Sequence, residues 1–166
     1  MNNYEQNLEK NKANYVPLTP ITFLERTKDI YPNYEAIIYK KRNYTWKQVY
    51  ERSIRFASAL EKHGVKKGDT VSIMAANTPE LFEAHYSVPM TGAVLNTINT
   101  RLDAKTVTYI LNHADTKVLI VDRQFHTIVN KALKTIEKKI SVIDIIDTQE
   151  DLKDVKKLVI WNMKVF

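Results

Sequence analysis

The residues here that could do chemistry are one strand-to-helix loop, four histidines, a pair of strand-end aspartates and several serines. The loop Ala75-Ala76-Asn77-Thr78 follows a strand-like run and opens a helix, where α/β folds hold anions on free N–H groups. It lacks glycine, so its backbone cannot approach a phosphate closely, and we read it as a helix cap without a ligand. His85 lies mid-helix and His113 near a helix end, while His63 and His126 stand alone. No two of them have metal-ligand spacing, so each is read as a structural histidine. Asp144 and Asp147 flank the last strand and could form a carboxylate pair, though aspartates there commonly cap or turn. Ser53, Ser58, Ser72 and Ser87 fall inside helices or strands with no nucleophile elbow around them. Spacing alone assigns no catalytic, cofactor-binding or metal residue.

Composition narrows the classes further. The 3 glycines, Gly64, Gly68 and Gly92, can spell neither GxGxxG nor the Walker pattern. Cysteine is absent, which excludes disulfide frameworks and Cys-based zinc or redox sites and fits a reducing compartment. The start Met1-Asn2-Asn3-Tyr4-Glu5 is polar, and no run approaches the roughly 18 apolar residues of a membrane span. The expectation is a cytoplasmic chain with no membrane span. At 166 residues and 44% apolar, the chain can bury a core of its own.

The net charge of +6 raises the question of nucleic acid. Basic residues are in excess over residues 1–69 and 123–166, while 70–122 is slightly acidic. They alternate with Glu and Asp along predicted helices and come without stacking aromatics, so they are read as solvated faces and no nucleic-acid partner is expected.

The elements that must position these side chains follow from periodicity and capping. Residues 1–18 read as an irregular lead-in. Thr19-Pro20 opens a helix over about 21–31, Glu35 to Lys40 reads as a strand, and Arg42-Asn43 as a turn. Thr45 and Gln48 form a capping box, with Tyr44 and Val49 placed for a hydrophobic staple. Trp46, Val49, Tyr50, Ile54, Ala57 and Leu60 then recur at helical spacing, and His63-Gly64 ends that helix. Strand-like runs at 70–74, 93–97, 117–121 and 140–146 alternate with helices opening at Thr78-Pro79, over 104–114 and over 123–137. That rhythm is the signature of βαβ units: an α/β fold with a mostly parallel sheet and helices on both faces.

Five segments, in order and spacing, resemble the AMP-forming acyl-CoA synthetases of the adenylating superfamily, in its acyl-activating branch. They are Asn43-Tyr44-Thr45-Trp46, Gly64 to Val71, Asn77-Thr78-Pro79-Glu80, Val88-Pro89-Met90-Thr91 and Gly92 to Leu102. The resemblance covers about residues 15–146 and implies the N-terminal part of the large adenylating domain, with 19–146 as a partial AMP-binding subdomain. It also implies a reaction in which a fatty or aromatic carboxylic acid attacks Mg-ATP to give an acyl-adenylate, from which CoA displaces AMP. ATP, Mg and CoA are thus the implied cofactors of a full-length member, and a small carboxylic acid its substrate. The family's phosphate loop, its aromatic-Thr-Glu segment, its ribose-binding Asp and its catalytic Lys match no position here. The chain reads as about the first third of a member, inactive alone; the alternative is a stand-alone α/β interaction module.

Residues 147–166 form a tail that departs from the family pattern. Trp161 and Met163 have one codon each, so the neighbouring frame across residues 161–164 reads Glu, then Tyr or His, then Glu, close to the family's acidic–aromatic–acidic run. A frameshift is the preferred account, an ordinary divergent tail the other. If later strands are needed to cover the sheet, Val94, Leu119, Ile120 and Ile143 should lie exposed and the chain should be partly molten.

Overall fold

The computed structural model describes Asn11, residues 15–146 and residues 161–162. Helix α1 (Pro20–Ile30) starts at Thr19, whose Oγ1 accepts the Thr22 N–H at 3.2 Å while the Thr22 hydroxyl accepts the Thr19 N–H at 3.0 Å. Strand β1 (Glu35–Tyr39) then pairs antiparallel with β2 (Arg42–Thr45). The turn expected at Arg42-Asn43 therefore lies earlier, because Lys40 adopts the left-handed conformation at φ 53° and frees Arg42 to join the hairpin.

Helix α2 (Trp46–Lys62) carries the expected capping box: Thr45 Oγ1 accepts the Gln48 N–H at 3.3 Å and the Gln48 amide oxygen accepts the Thr45 N–H at 2.8 Å. Its buried stripe is Val49, Arg52, Ser53, Phe56, Ala57 and Leu60. Ile54, expected on that stripe, is exposed, and two polar residues take its place. Gly64 leaves the helix at φ 83°.

Strands β3 (Thr70–Met74), β4 (Val94–Thr97), β5 (Thr116–Asp122), β6 (Ser141–Ile145) and the short β7 (Trp161–Asn162) form one parallel sheet in the order β4-β3-β5-β6-β7. Helices α3 (Pro79–Met90), α4 (Ala104–His113) and α5 (His126–Leu133) make the crossovers. The helix expected over 123–137 is broken at both ends. Asp122 accepts the Gln124 N–H and sets a 3-10 turn over Arg123–Phe125 before α5. At the far end the Thr135 hydroxyl and N–H both donate to Ala132 O, closing α5 in a tighter turn.

The period of two along each strand divides the core into two layers. Val71, Ile73, Val118, Ile120, Ile143 and Ile145 face α2 and α3, with Phe56, Leu60, Ala84 and Val88. Met74, Leu119, Val121 and Val142 face α4 and α5, with Val107, Leu111, Val129 and Ala132. The exposure expected of a partial sheet is corrected here. Val94 on the edge strand is 55% exposed, but Leu119 and Ile120 are at 0% and Ile143 at 4%. The helices of this chain cover both faces of the central strands.

Candidate functional site

From β3 the chain moves outward to β4, then crosses back past β3 to β5 and onward to β6. The strand order reverses between β3 and β5, and outside the C-terminal strand ends at such a point open α/β sheets bind ligands in a crevice. The residues there are the loop Ala75 to Thr78 after β3 and the segment Asp122 to His126 after β5. All three glycines lie at the opposite edge: Gly64 after α2, Gly68 before β3 and Gly92 before β4, with the Gly68 N–H donating to Gly92 O at 3.0 Å. The loop at the crevice instead closes on itself, the Thr78 N–H donating to Ala76 O at 2.7 Å.

Beside the crevice lies a buried polar cluster that the sequence did not disclose. His126, read as standing alone, is 4% exposed with Nε2 2.9 Å from Asp144 Oδ1, and Asp144 is fully buried. The Arg123 guanidinium Nε lies 3.9 Å from Asp144 Oδ2, and neither atom makes a hydrogen bond. The available signal was an aspartate inside the apolar run Val142 to Ile146, a position burial tolerates only with a partner. Asp147, proposed as the second member of a carboxylate pair, lies outside the described residues. The hydrogen bond to Asp144 fixes the imidazole orientation, and the cluster ties the start of α5 to β6.

A second buried network joins the hairpin to the helices. Arg42 Nη1 donates to Glu80 Oε1 at 2.7 Å, linking β2 to the first turn of α3. Arg52 pairs with Glu83 through Nε and through Nη2, the latter at 3.1 Å, with the Tyr44 ring 4.6 Å from the guanidinium carbon. Burial pushes the Glu83 carboxyl above the ordinary carboxylate range, against the pull of Arg52.

The remaining candidates separate. Ser72 meets the Thr116 hydroxyl at 2.7 Å and accepts from Asn96 at 2.9 Å, bridging three strands. Ser87 donates to Glu83 O within α3, Ser53 is buried, and Ser58 is exposed. His85 Nδ1 bonds Leu81 O at 2.8 Å, His113 stacks on Tyr109, and His63 caps α2. Thr78 occupies the N-cap position of α3 without a capping hydrogen bond. Among the described residues no group of three His, Cys, Asp or Glu is placed to hold a metal. No described helix is long and apolar enough to cross a membrane.

A parallel sheet of this order, preceded by the capped hairpin–helix unit, is the setting in which the five family-like segments lie. A model of the AMP-binding enzyme family matches residues 24–162. The chain belongs to that family. A peroxisomal butyrate–CoA ligase of Arabidopsis thaliana is 52% identical over 130 residues, which is 78% of this chain and 23% of the relative. The peroxisomal benzoate–CoA ligase of the same plant is 48% identical over 134 residues, covering 81% of this chain and 23% of the relative. Among solved structures, an anthranilate CoA ligase in complex with anthranoyl-AMP superposes with a TM-score of 0.74 at 25% identity, over 81% of this chain and 27% of that one. The matched residues thus span about a quarter of the length of the curated relatives.

Membership explains what the family-like segments do here. Thr45 caps α2, Glu80 receives the Arg42 ion pair, and Gly92 turns into β4 at φ 76°. A Cβ at Gly92 would lie 3.1 Å from Lys67 Cγ, so the close approach of the two turns requires glycine there. The segments that identify this AMP-binding chain build its scaffold.

Proposed function

We propose that the chain is the N-terminal part of an AMP-forming acyl-CoA ligase that activates a short-chain or aromatic carboxylic acid. In the complete enzyme the carboxylate attacks the α-phosphate of Mg-ATP, releasing pyrophosphate, and the CoA thiol displaces AMP from the acyl-adenylate. The observation that carries this reading is 52% identity to a butyrate–CoA ligase across 130 residues. Relatives named for benzoate and trans-cinnamate extend the substrate class to aromatic acids.

Adenylation depends on donors and cations that neutralise charge developing at the phosphorus. At the crevice of this chain the β3–α3 loop is glycine-free and Arg123 is already engaged with Asp144. The chain by itself is therefore proposed to bind ATP weakly and to form no acyl-adenylate. Pyrophosphate release is the test: with ATP, Mg and butyrate or benzoate, the isolated chain should match a boiled control, and release above it would refute its inactivity. The frameshift account of residues 147–166 belongs to this proposal. Joining the downstream DNA in the shifted frame should yield a product with the phosphate loop and pyrophosphate release; a frame encoding neither would sink the ligase reading.

One observation favours a second reading, the stand-alone interaction module: the chain covers both faces of its central strands with its own helices. Five relatives are named as peroxisomal. We retain the cytoplasmic placement, and co-sedimentation of the tagged chain with peroxisomes on a density gradient would replace it.

A further inference from the structure

Helix α3 is apolar on more sides than the described residues cover. Ala84 and Val88 join the sheet's core layer, and Glu83 turns to Arg52 of α2. Elsewhere on the helix Phe82 and Tyr86 pack edge to face at 5.3 Å, both only half-buried, with His85 exposed beside them. A helix that is apolar all round belongs in an interior. Among the described residues, eight of the eleven exposed large hydrophobics fall between Tyr15 and Ile38, so the uncovered apolar surface gathers in the segment leading into β1.

A groove of about 420 Å³ separates β1 from α3. Leu81, Phe82 and His85 line its helical wall, and residues 36–39 its strand wall. Side chains alternate along a strand, so a cavity that meets one face touches every second residue. Four consecutive residues on the wall place the edge of β1 there. The other edge of β1 is hydrogen-bonded to β2, in a sheet of two strands. A hairpin of that size is marginal in water, and a third strand is what makes such a sheet stable. Ile38, in the middle of the wall, is 70% exposed. The Arg42–Glu80 ion pair ties β2 to the opening turn of α3, so the two walls keep their spacing.

We propose that the groove receives a third strand, added to the open edge of β1, and that this strand comes from the part of the ligase that follows the matched residues. The choice of partner rests on the ligase reading. The matched segment is 23% of a butyrate–CoA ligase and 27% of an anthranilate CoA ligase of solved structure, so most of such an enzyme is available to cover these surfaces. Main-chain hydrogen bonds to β1 set the register, and an apolar side chain seated between Ile38 and Phe82 gives specificity. The four wall residues span ~13 Å, so the added strand is short and alternates apolar with polar residues.

The test is co-expression of the tagged whole chain with the part of the butyrate–CoA ligase that follows its matched segment, read by co-purification and amide hydrogen exchange. The two should co-purify, with exchange at residues 36–39 slowed at least tenfold relative to the chain alone. Ile38→Lys should lower recovery of the pair about tenfold and Ile38→Val should keep it, while Tyr109→Lys, on the exposed side of α4, should leave it unchanged. Far-UV circular dichroism of each variant separates loss of association from loss of fold. No co-purification, a pair with unslowed exchange at β1, or equal losses from Ile38→Lys and Tyr109→Lys would overturn the strand site. Slowing at β1 in the chain alone as its concentration rises would hand the groove to a second copy and overturn the choice of partner. Pyrophosphate release by the pair reports on the ligase reading separately. Release with unslowed β1 amides would keep that reading and sink the strand, and slowed amides without release would do the reverse.

Discussion

Arg52 and Glu83 show how a single pair can matter more than its position in the sequence suggests. Both side chains are under a tenth exposed, and their charges face each other inside the α2–α3 contact. Removing one partner leaves the other buried without its counter-charge, which in proteins costs about 3–5 kcal/mol. Arg52→Met is therefore expected to lower stability by that amount in urea denaturation. Adding Glu83→Leu should recover much of the loss, since an apolar pair of similar volume avoids the desolvation penalty. Failure of the double variant to recover would mean that the pair orders the helix contact beyond its own charges. The Tyr44 ring against the Arg52 guanidinium makes that alternative measurable, because Tyr44→Leu would then reproduce part of the loss.

Caps separate the elements that look alike in sequence. Thr45, Thr78 and Asp103 all precede helices, and all three are residue types that favour the N-cap position. Asp103 accepts the Thr106 N–H at 2.7 Å, which holds its carboxyl below the usual range, and Thr45 closes a full capping box. Thr78 makes no such bond. Substitution by alanine should cost about 1 kcal/mol at Thr45 or Asp103, and much less at Thr78, with thermal or urea midpoints as the measure. Equal losses at all three positions would show that Thr78 caps α3 after all. The difference follows from backbone direction at the end of β3, where the Thr78 N–H turns back to Ala76 O.

For the whole molecule, the expectation of a partly molten chain gives way to a sharper one. With Leu119 and Ile120 at 0% exposure, the central strands carry both core layers, and the chain should unfold cooperatively. The open edge of the described sheet is β4, where Val94 is 55% exposed. Unpaired strand edges seek other strands. Sedimentation should therefore rise above the monomer with concentration, and Val94→Lys should return it toward the monomer. A broad, non-cooperative melt with strong hydrophobic-dye binding would restore the earlier expectation.

What was legible in the sequence were features written in local spacing. The capping box at Thr45-Gln48, the proline after Thr78, the alternation of strand-like runs with helices and the parallel sheet they imply all depend on residues a few positions apart. The missed features depend on residues far apart in the chain. His126 at the start of α5 meets Asp144 on β6, Arg42 meets Glu80 38 residues later, and the groove under the hairpin needs β1 and α3 side by side. Ile54 shows the same limit on the opposite side: helical period made it a core residue, but α3 presents Glu83 to α2, and Arg52 was drawn inward instead. Periodicity tells which residues share a face. Only the packed partner decides which face is buried, because burial energy and charge pairing exist between elements and not within one.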